Sequence, residues 1–356
     1  MENKSKRHEN KAFIIDGKIK CMESCPVIKG YYLVIGGGKI GTDFLQYARK
    51  NEFPFVLVID KDENAPASRE AKVLKTENEL ANLLRNKALL ALSEDKPQLS
   101  RAEEENKRRN EGKNERECNE KNEKSEAYFY KMDMNDTPSL FTSGIPEYII
   151  PAVSCHAVAY LLADYLKFFN PELSSNEVPD EKSPVKELFI RHEDSQLRSF
   201  FEDIAAAFPE DVIAGRYPEH GMLFFSYARE GEICPDGCPG PVDRCPTFGR
   251  KKPETITEYA GKLVDKLPGW VFESYQMKPG TGGLKGEELK RNLLEITEFV
   301  KKVQENNNGN KDKEKNRTKN ITEDDYGNRA EKIKGRAFFI ATTCTCHGVL
   351  NLFYVT

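Results

Sequence analysis

Apolar residues alternate between two patterns along residues 31–170. Short unbroken runs, Tyr31–Ile35 and Phe55–Ile59, give way to stretches where apolar side chains recur at helical spacing, first Ile40, Phe44, Leu45 and Ala48. Unbroken runs of this length predict strands buried on both faces. "AKVL" (71–74), "AYFYKMDM" (127–134) and "EYIIPAVS" (147–154) continue the strand series. Leu80, Leu83 and Leu84 mark a second helix, and Val158, Leu161, Leu162, Tyr165 and Leu166 mark a third over residues 156–169. Strands alternating with helices predict an α/β fold with a parallel sheet covered on both faces. Further along, "GMLFFSYA", "GWVFESYQ" and Ala337–Ile340 predict core strands of a second part, α/β or α+β.

Two segments carry no apolar periodicity. Residues 95–126 and 304–334 mix both signs of charge nearly evenly, which predicts solvated, disordered insertions. The 356-residue chain is 38% apolar, enough for a sizeable core, and its length predicts one large or two medium domains. The patterns divide it into an N-terminal extension over 1–30, able to form a hairpin, a first domain over 31–170 and a cysteine-bearing domain over 171–356. With 54 basic against 58 acidic side chains, no field favours nucleic acid or anionic lipid. The opening "MENKSKRHENK" lacks an apolar signal region and no run is long enough to span a bilayer, so the expectation is a cytoplasmic protein without membrane insertion. Assembly as a homo-oligomer stays open.

Chemistry enters between the first two strands. Gly36, Gly38 and Gly41 stand in G-x-G-x-x-G spacing between strand and helix, and the second strand ends at Asp60. Gly36 suits a tight turn, Gly38 lets a pyrophosphate approach the backbone, and Gly41 lets the helix pack closely on the strand. The helix N-terminus then offers unpaired N–H groups and a positive dipole end to phosphates. Asp60 can accept hydrogen bonds from an adenosine ribose and would repel a 2′-phosphate, which favours NAD over NADP. The ordered series predicts a Rossmann-like domain whose partner is a small-molecule dinucleotide. Over residues 31–62, "YLVIGGGKIGTDFLQYARKNEFPFVLVIDKDE" resembles the nucleotide-binding domain of regulators of the potassium-conductance type, where a second acid, here Asp62, follows the first. That resemblance implies NAD(H) contacts at Gly36, Gly38, Gly41 and Asp60. The triple glycine is also similar to the dehydrogenase domain of sirohaem-synthesis enzymes, and the cysteine pattern resembles that of uncharacterised Rossmann-containing proteins of anaerobes.

The cysteines form a second theme. Four of nine, Cys25, Cys234, Cys238 and Cys245, precede proline, whereas nine cysteines and 19 prolines in 356 residues would give about half of one such pair by chance. Proline biases the residue before it toward extended backbone and removes an N–H beside the sulfur. Near the C-terminus, Cys344, Cys346 and His347 follow the Ala337–Ile340 strand. If the strand continues that far, the two thiols share one face. Cys234, Cys238, Cys245, Cys344, Cys346 and His347 thus supply ligands for tetrahedral zinc or an iron–sulfur cluster. Free buried thiols and redox or catalytic thiols are the other readings. Cys21 and Cys25 make a further C-x3-C pair, and Cys118 lies in the first charged insertion.

Ligands of open α/β sheets gather beyond the carboxyl ends of strands, which directs attention to Cys155 and His156 after "IIPAVS". His156 is the candidate proton donor or acceptor at a nicotinamide, with Cys155 beside it. His220 in "RYPEHG" has a lesser claim. Gly280, Gly282 and Gly283 read as a turn and helix start. The sequence therefore predicts an NAD(H)-binding protein, a nicotinamide-dependent oxidoreductase with a cysteine-ligated metal or iron–sulfur site. The rivals are a non-enzymatic NAD(H) or redox sensor and a protein with a purely structural zinc.

Overall fold

The computed structural model describes residues 15–94, 125–167, 183–229, 231–235, 238–314 and 325–356. Strand β1 (Val27–Ile35) leads into helix α1 (Lys39–Lys50), then β2 (Phe55–Asp60), β3 (Lys72–Leu74), α2 (Glu77–Glu94), β4 (Glu126–Lys131), β5 (Ile145–Pro151) and α3 (Ala157–Lys167). There follow β6 (Val185–Glu187), α4 (Ser195–Ala205), β7 (Ile213–Tyr217), β8 (Met222–Ser226) and α5 (Ile256–Leu263). The chain ends with β9 (Gly269–Lys278), β10 (Thr281–Lys285), α6 (Gly286–Glu314), α7 (Asp325–Lys334), β11 (Ala337–Thr343) and β12 (His347–Val355). Mixed α/β architecture is thus as the pattern of the sequence predicts.

All strands join one 12-stranded sheet in the order β3-β4-β2-β1-β5-β10-β9-β11-β12-β8-β7, with β6 also pairing to β12. β1 runs parallel to β2 and β5, and β4 runs parallel to β2 and β3. From β5 onward the pairing turns antiparallel through β10 to β9, while β11 runs parallel to β9. Alternation explains the unbroken apolar runs: Leu33 and Ile35 enter one core, and Val34 enters another with Phe44, Leu45, Val58 and Phe129. The same division recurs in β11, where Phe338 and Ile340 join the first core and Phe339 and Ala341 a third, with Phe201, Leu223 and Leu350. Helix α6 contributes Leu289, Leu293, Ile296 and Val300, one stripe at helical spacing.

The sheet does not break near residue 170. Leu33 and Leu57 share a core with Phe338 and Val355, so the two parts expected from the sequence form one continuous sheet with a common core. Three local expectations are corrected. Residues 15–24 are helical rather than a hairpin, with Ile15 and Met22 buried, and β1 starts at Val27 instead of Tyr31. Residues 304–314 continue α6 and 325–334 form α7, so much of the expected 304–334 insertion is helical. Extending an anchored helix needs little more than tolerant residues, and Ala330 and Ile333 pack α7 against the third core. Finally, β11 stops at Thr343 and the chain reverses, so Cys344 and Cys346 do not lie on alternate positions of a strand. Most of the first charged insertion, Cys118 included, lies outside the described residues.

Candidate functional site at the carboxyl edge of the sheet

Register places nearly every chemically interesting segment on one edge. Ile35 of β1 pairs with Pro151 of β5, so the glycine turn and residues 152–156 emerge side by side. To one side of β1 lies β2, whose end carries Asp60; to the other lies β5. Chain connections diverge here, from β1 toward β2 and from β5 toward α3, the arrangement beside which open α/β sheets bind their ligands. The β9–β10 tip projects at this edge, with Lys278 opposite Thr281, and the β11–β12 turn points the same way.

Gly36 has φ +105°, and a side chain there would meet the Ala152 carbonyl oxygen at 2.6 Å. A Cβ on Gly41 would lie 2.0 Å from the Gly36 carbonyl oxygen, so α1 can sit this close to the turn only without one. At Gly38, the N-cap of α1, the Cβ direction meets nothing within 4 Å. The amides of Lys39, Ile40 and Gly41 precede the first backbone bond of the helix, Thr42 N–H to Gly38 O at 2.9 Å, and are the donors that a helix start leaves without an intrahelical partner. Asp60 braces the turn: its Oδ2 accepts the Gly37 N–H at 2.7 Å and its Oδ1 accepts the Asp62 N–H at 2.8 Å. Each oxygen keeps a second lone pair for a hydroxyl.

His156 stands at the start of α3 but looks inward. Its Nδ1 is 2.7 Å from Asn351 Oδ1 and its Nε2 is 2.8 Å from Thr342 Oγ1. Because Asn351 Oδ1 can only accept, Nδ1 carries the proton and Nε2 accepts from Thr342. Burial pushes the imidazole down to about 4, the bond to Asn351 opposing part of the shift. Both nitrogens are occupied, which leaves neither for a bound nicotinamide. Cys155 is exposed at the same edge, 3.9 Å from Met134 Sδ, and burial of part of its surroundings raises its thiol above the ordinary value. His220 lies in the turn between β7 and β8, at the opposite edge of the sheet. Gly280, Gly282 and Gly283 form the β9–β10 hairpin. The cavity lined by Val27, Glu287, Lys290, Leu294 and Glu298 also lies away from the glycine turn, beside the start of β1.

The cysteines converge from two segments. After β8 the chain runs out through Cys234, Cys238 and Cys245 before returning to α5, whose start is fixed by a capping box between Thr255 and Glu258. Residues 243–252 fold back on themselves: Lys252 N–H donates to Asp243 O and Cys245 N–H to Arg250 O, both at 2.8 Å. The β11–β12 turn is closed by Cys344 N–H to His347 O at 2.8 Å and meets this loop through Thr345 Oγ1 to Gly240 O at 2.8 Å. Gln276 on β9 holds the Cys238 carbonyl at 2.8 Å. Cys245 and Cys346 are buried; Cys234, Cys238 and Cys344 are half-buried. Cys234 hydrogen-bonds to Cys238 and lies within electrostatic reach of Cys346 and Cys245; burial and these neighbours push its thiol up to about 11. Among the described residues, no three Cys, His, Asp or Glu side chains stand ready-made as a metal's coordination shell.

Lys252, which the sequence did not single out, is 3% exposed with Nζ 2.6 Å from Cys346 Sγ. Its position directly after Arg250 and Lys251 in "GRKKPE" carries no sign of burial. The proline after it is the only local hint of a turn.

A family model described as "Uncharacterized protein, C-terminal domain" matches residues 185–356. No curated protein and no solved structure matches the chain. The matched segment opens on the first residue of β6 and takes in the whole cysteine loop and the β11–β12 turn, whereas the glycine turn lies outside it. Among the described residues, no helix is long and apolar enough to cross a membrane.

Proposed function

We propose that the chain binds NAD(H) at the glycine turn, in a Rossmann-like half built from β1 to β5. The observation that carries this reading is the open space at Gly38 beside the first amides of α1, with Asp60 bracing the turn from β2. The residues present fit a dinucleotide: Gly36 and Gly41 keep side chains away from the turn, and the Asp60 lone pairs face the adenosine side. With adenosine over β2 and diphosphate at Gly38, the nicotinamide half extends over β5 and toward β10 and β9. Bound there, it would supply a hydride donor or acceptor on the side of the sheet that bears the thiols. From β5 to β11 is three strand spacings, about 14 Å. This order along the edge favours a nicotinamide-dependent oxidoreductase.

A second reading, an NAD(H)-responsive regulator without turnover, is supported by one observation: both nitrogens of His156 are already bonded. Calorimetric titration with NADH and NADPH tests binding. NADH should bind and NADPH should bind more weakly. Asp60→Ala should weaken NADH by about tenfold or more, since a charge-assisted hydrogen bond contributes about 1.5–3 kcal/mol. Unchanged affinity in the variant would show that the ribose is held elsewhere. NADH oxidation with an added two-electron acceptor then separates enzyme from regulator.

A further inference from the structure

We propose that Cys234, Cys238, Cys245 and Cys346 are the four thiolate ligands of one thiophilic metal centre, with Lys252 as its buried counter-charge. Cys344 and His347, equally attractive from the sequence, are not ligands. This inference stands independently of nucleotide binding.

Selection among the thiols comes from their neighbours. Cys234 reaches Cys238, Cys346 and Cys245. Cys344 reaches Cys346 and Lys252, and its sulfur accepts the N–H groups of Cys346 and His347 within the turn. His347 is exposed and begins β12, paired with Ser226. Two segments distant in sequence are stitched together around the four sulfurs. Tyr227 N–H donates to Cys346 O at 3.0 Å, Thr345 Oγ1 to Gly240 O, and Arg250 Nη1 to Tyr227 O at 2.6 Å. Gly240 N–H points at Cys238 Sγ at 3.5 Å, a contact that favours an anionic sulfur.

Lys252 supplies the second, independent observation. A buried ammonium is rarely tolerated without a negative partner. Its neighbours are the Pro241 carbonyl, the face of Tyr227 at 5.8 Å and Cys346 Sγ at 2.6 Å. Among the described residues, no ion pair joins Lys252 to a carboxylate. Among the described residues, the thiol in direct hydrogen-bond contact with it is that of Cys346, which ionises to an anion when it binds a metal. A divalent ion held by four thiolates carries net charge of about −2, and one adjacent ammonium halves it. Binding replaces thiol protons with metal and releases them to solvent. Among the described residues no three of these side chains form a ready coordination shell, so binding requires the four thiols to converge.

The test uses the full chain, purified without oxygen and analysed for zinc, iron and acid-labile sulfide, then stripped with chelator and titrated with Co²⁺. We expect one Co²⁺ per chain, with thiolate-to-cobalt charge-transfer bands and the intense d–d bands of a tetrahedral sulfur site. Cys234→Ser, Cys238→Ser, Cys245→Ser and Cys346→Ser should each weaken Co²⁺, and Lys252→Met should weaken it by about tenfold. Cys344→Ser and His347→Ala should stay within about twofold of the parent, below the tenfold loss usual for an orienting group. Added metal should also slow proteolysis within residues 227–252, a readout that does not need the variants to fold. Zinc in the isolated protein supports a single ion on these ligands; iron with sulfide supports a cluster on the same four. Absence of cobalt–thiolate bands in the parent, or a loss in Cys344→Ser equal to that in Cys346→Ser, overturns the proposal.

Discussion

Replacing His156 with Gln removes a titrating group while leaving an amide able to bond Asn351 and Thr342. In the folded chain burial holds the imidazole at about 4 against an ordinary 6.5. Between those values the unfolded chain takes up a proton that the folded chain refuses. Stability is therefore fully present above pH 6.5 and is lost as pH falls toward 4. The gap is 2.5 pH units; at 1.36 kcal/mol per unit that is about 3 kcal/mol. His156 is only 9% exposed, so solvent screening reduces this little. Urea unfolding of parent and His156→Gln from pH 7.5 to 4.5 measures it. Carboxylates titrate alike in both proteins, so the difference between the two curves isolates the histidine. The parent should lose about 2 kcal/mol more than the variant by pH 5, the part of the gap crossed by then. Parallel curves would refute the structural role. Loss of NADH turnover in a variant that still binds NADH would also refute it, and would restore His156 as an acid–base group.

Other outcomes follow from single contacts. Gly41→Ala puts a methyl 2.0 Å from the Gly36 carbonyl oxygen, a backbone atom that cannot rotate away. It should cost about 1–3 kcal/mol and abolish NADH binding, read by thermal unfolding and calorimetry. Thr255→Ala breaks the capping box of α5, in which Thr255 Oγ1 accepts the Glu258 N–H at 3.0 Å. A loss of about 1 kcal/mol in chemical denaturation is expected, with NADH affinity unchanged. Burial and the neighbouring Cys21 push the Cys25 thiol up to about 12, whereas Cys155 is exposed. Maleimide at neutral pH should label Cys155 long before Cys25, as peptide mass spectrometry would show.

What the sequence made legible was local. The β1–α1–β2 series announces itself because strand, glycines, helix and terminal acid are contiguous, and each is dictated by its own residues. The pairing of β5 with β10, and of β11 with β9, joins residues far apart in the chain, and no pattern within either strand specifies its neighbour. The β11–β12 reversal was hidden for another reason. Cys344, Thr345, Cys346 and His347 lack the Asn-Gly or Asp-Gly signature of a two-residue hairpin, so no local residue marks the end of the strand. Helix 15–24 was readable in Ile15, Ile19 and Met22 at helical spacing, but Gly17 obscured it. The cysteines were visible as a group. Which four face one another depends on the reversal, and therefore on the strand end that the sequence did not mark.

That reversal also explains why His156 matters beyond its own stability. Thr342 lies on β11 and Asn351 on β12, so one imidazole grips both arms of the hairpin that presents Cys346. The imidazole belongs to the residue immediately before α3, just past the end of β5 and beside the glycine turn. An apolar residue at 156 would leave Asn351 Oδ1 without its donor in a site where Asn351 is 3% exposed, and unsatisfied buried acceptors cost about 1–3 kcal/mol. The hairpin could recover that energy only by shifting register or admitting water, and either moves Cys346 relative to Lys252. A histidine is selected here because its two nitrogens, opposite in hydrogen-bonding sense, match an amide oxygen on one strand and a hydroxyl on the other. It ties the β11–β12 register to the end of β5, beside the glycine turn, which a carboxylate, lacking a donor for Asn351, could not do.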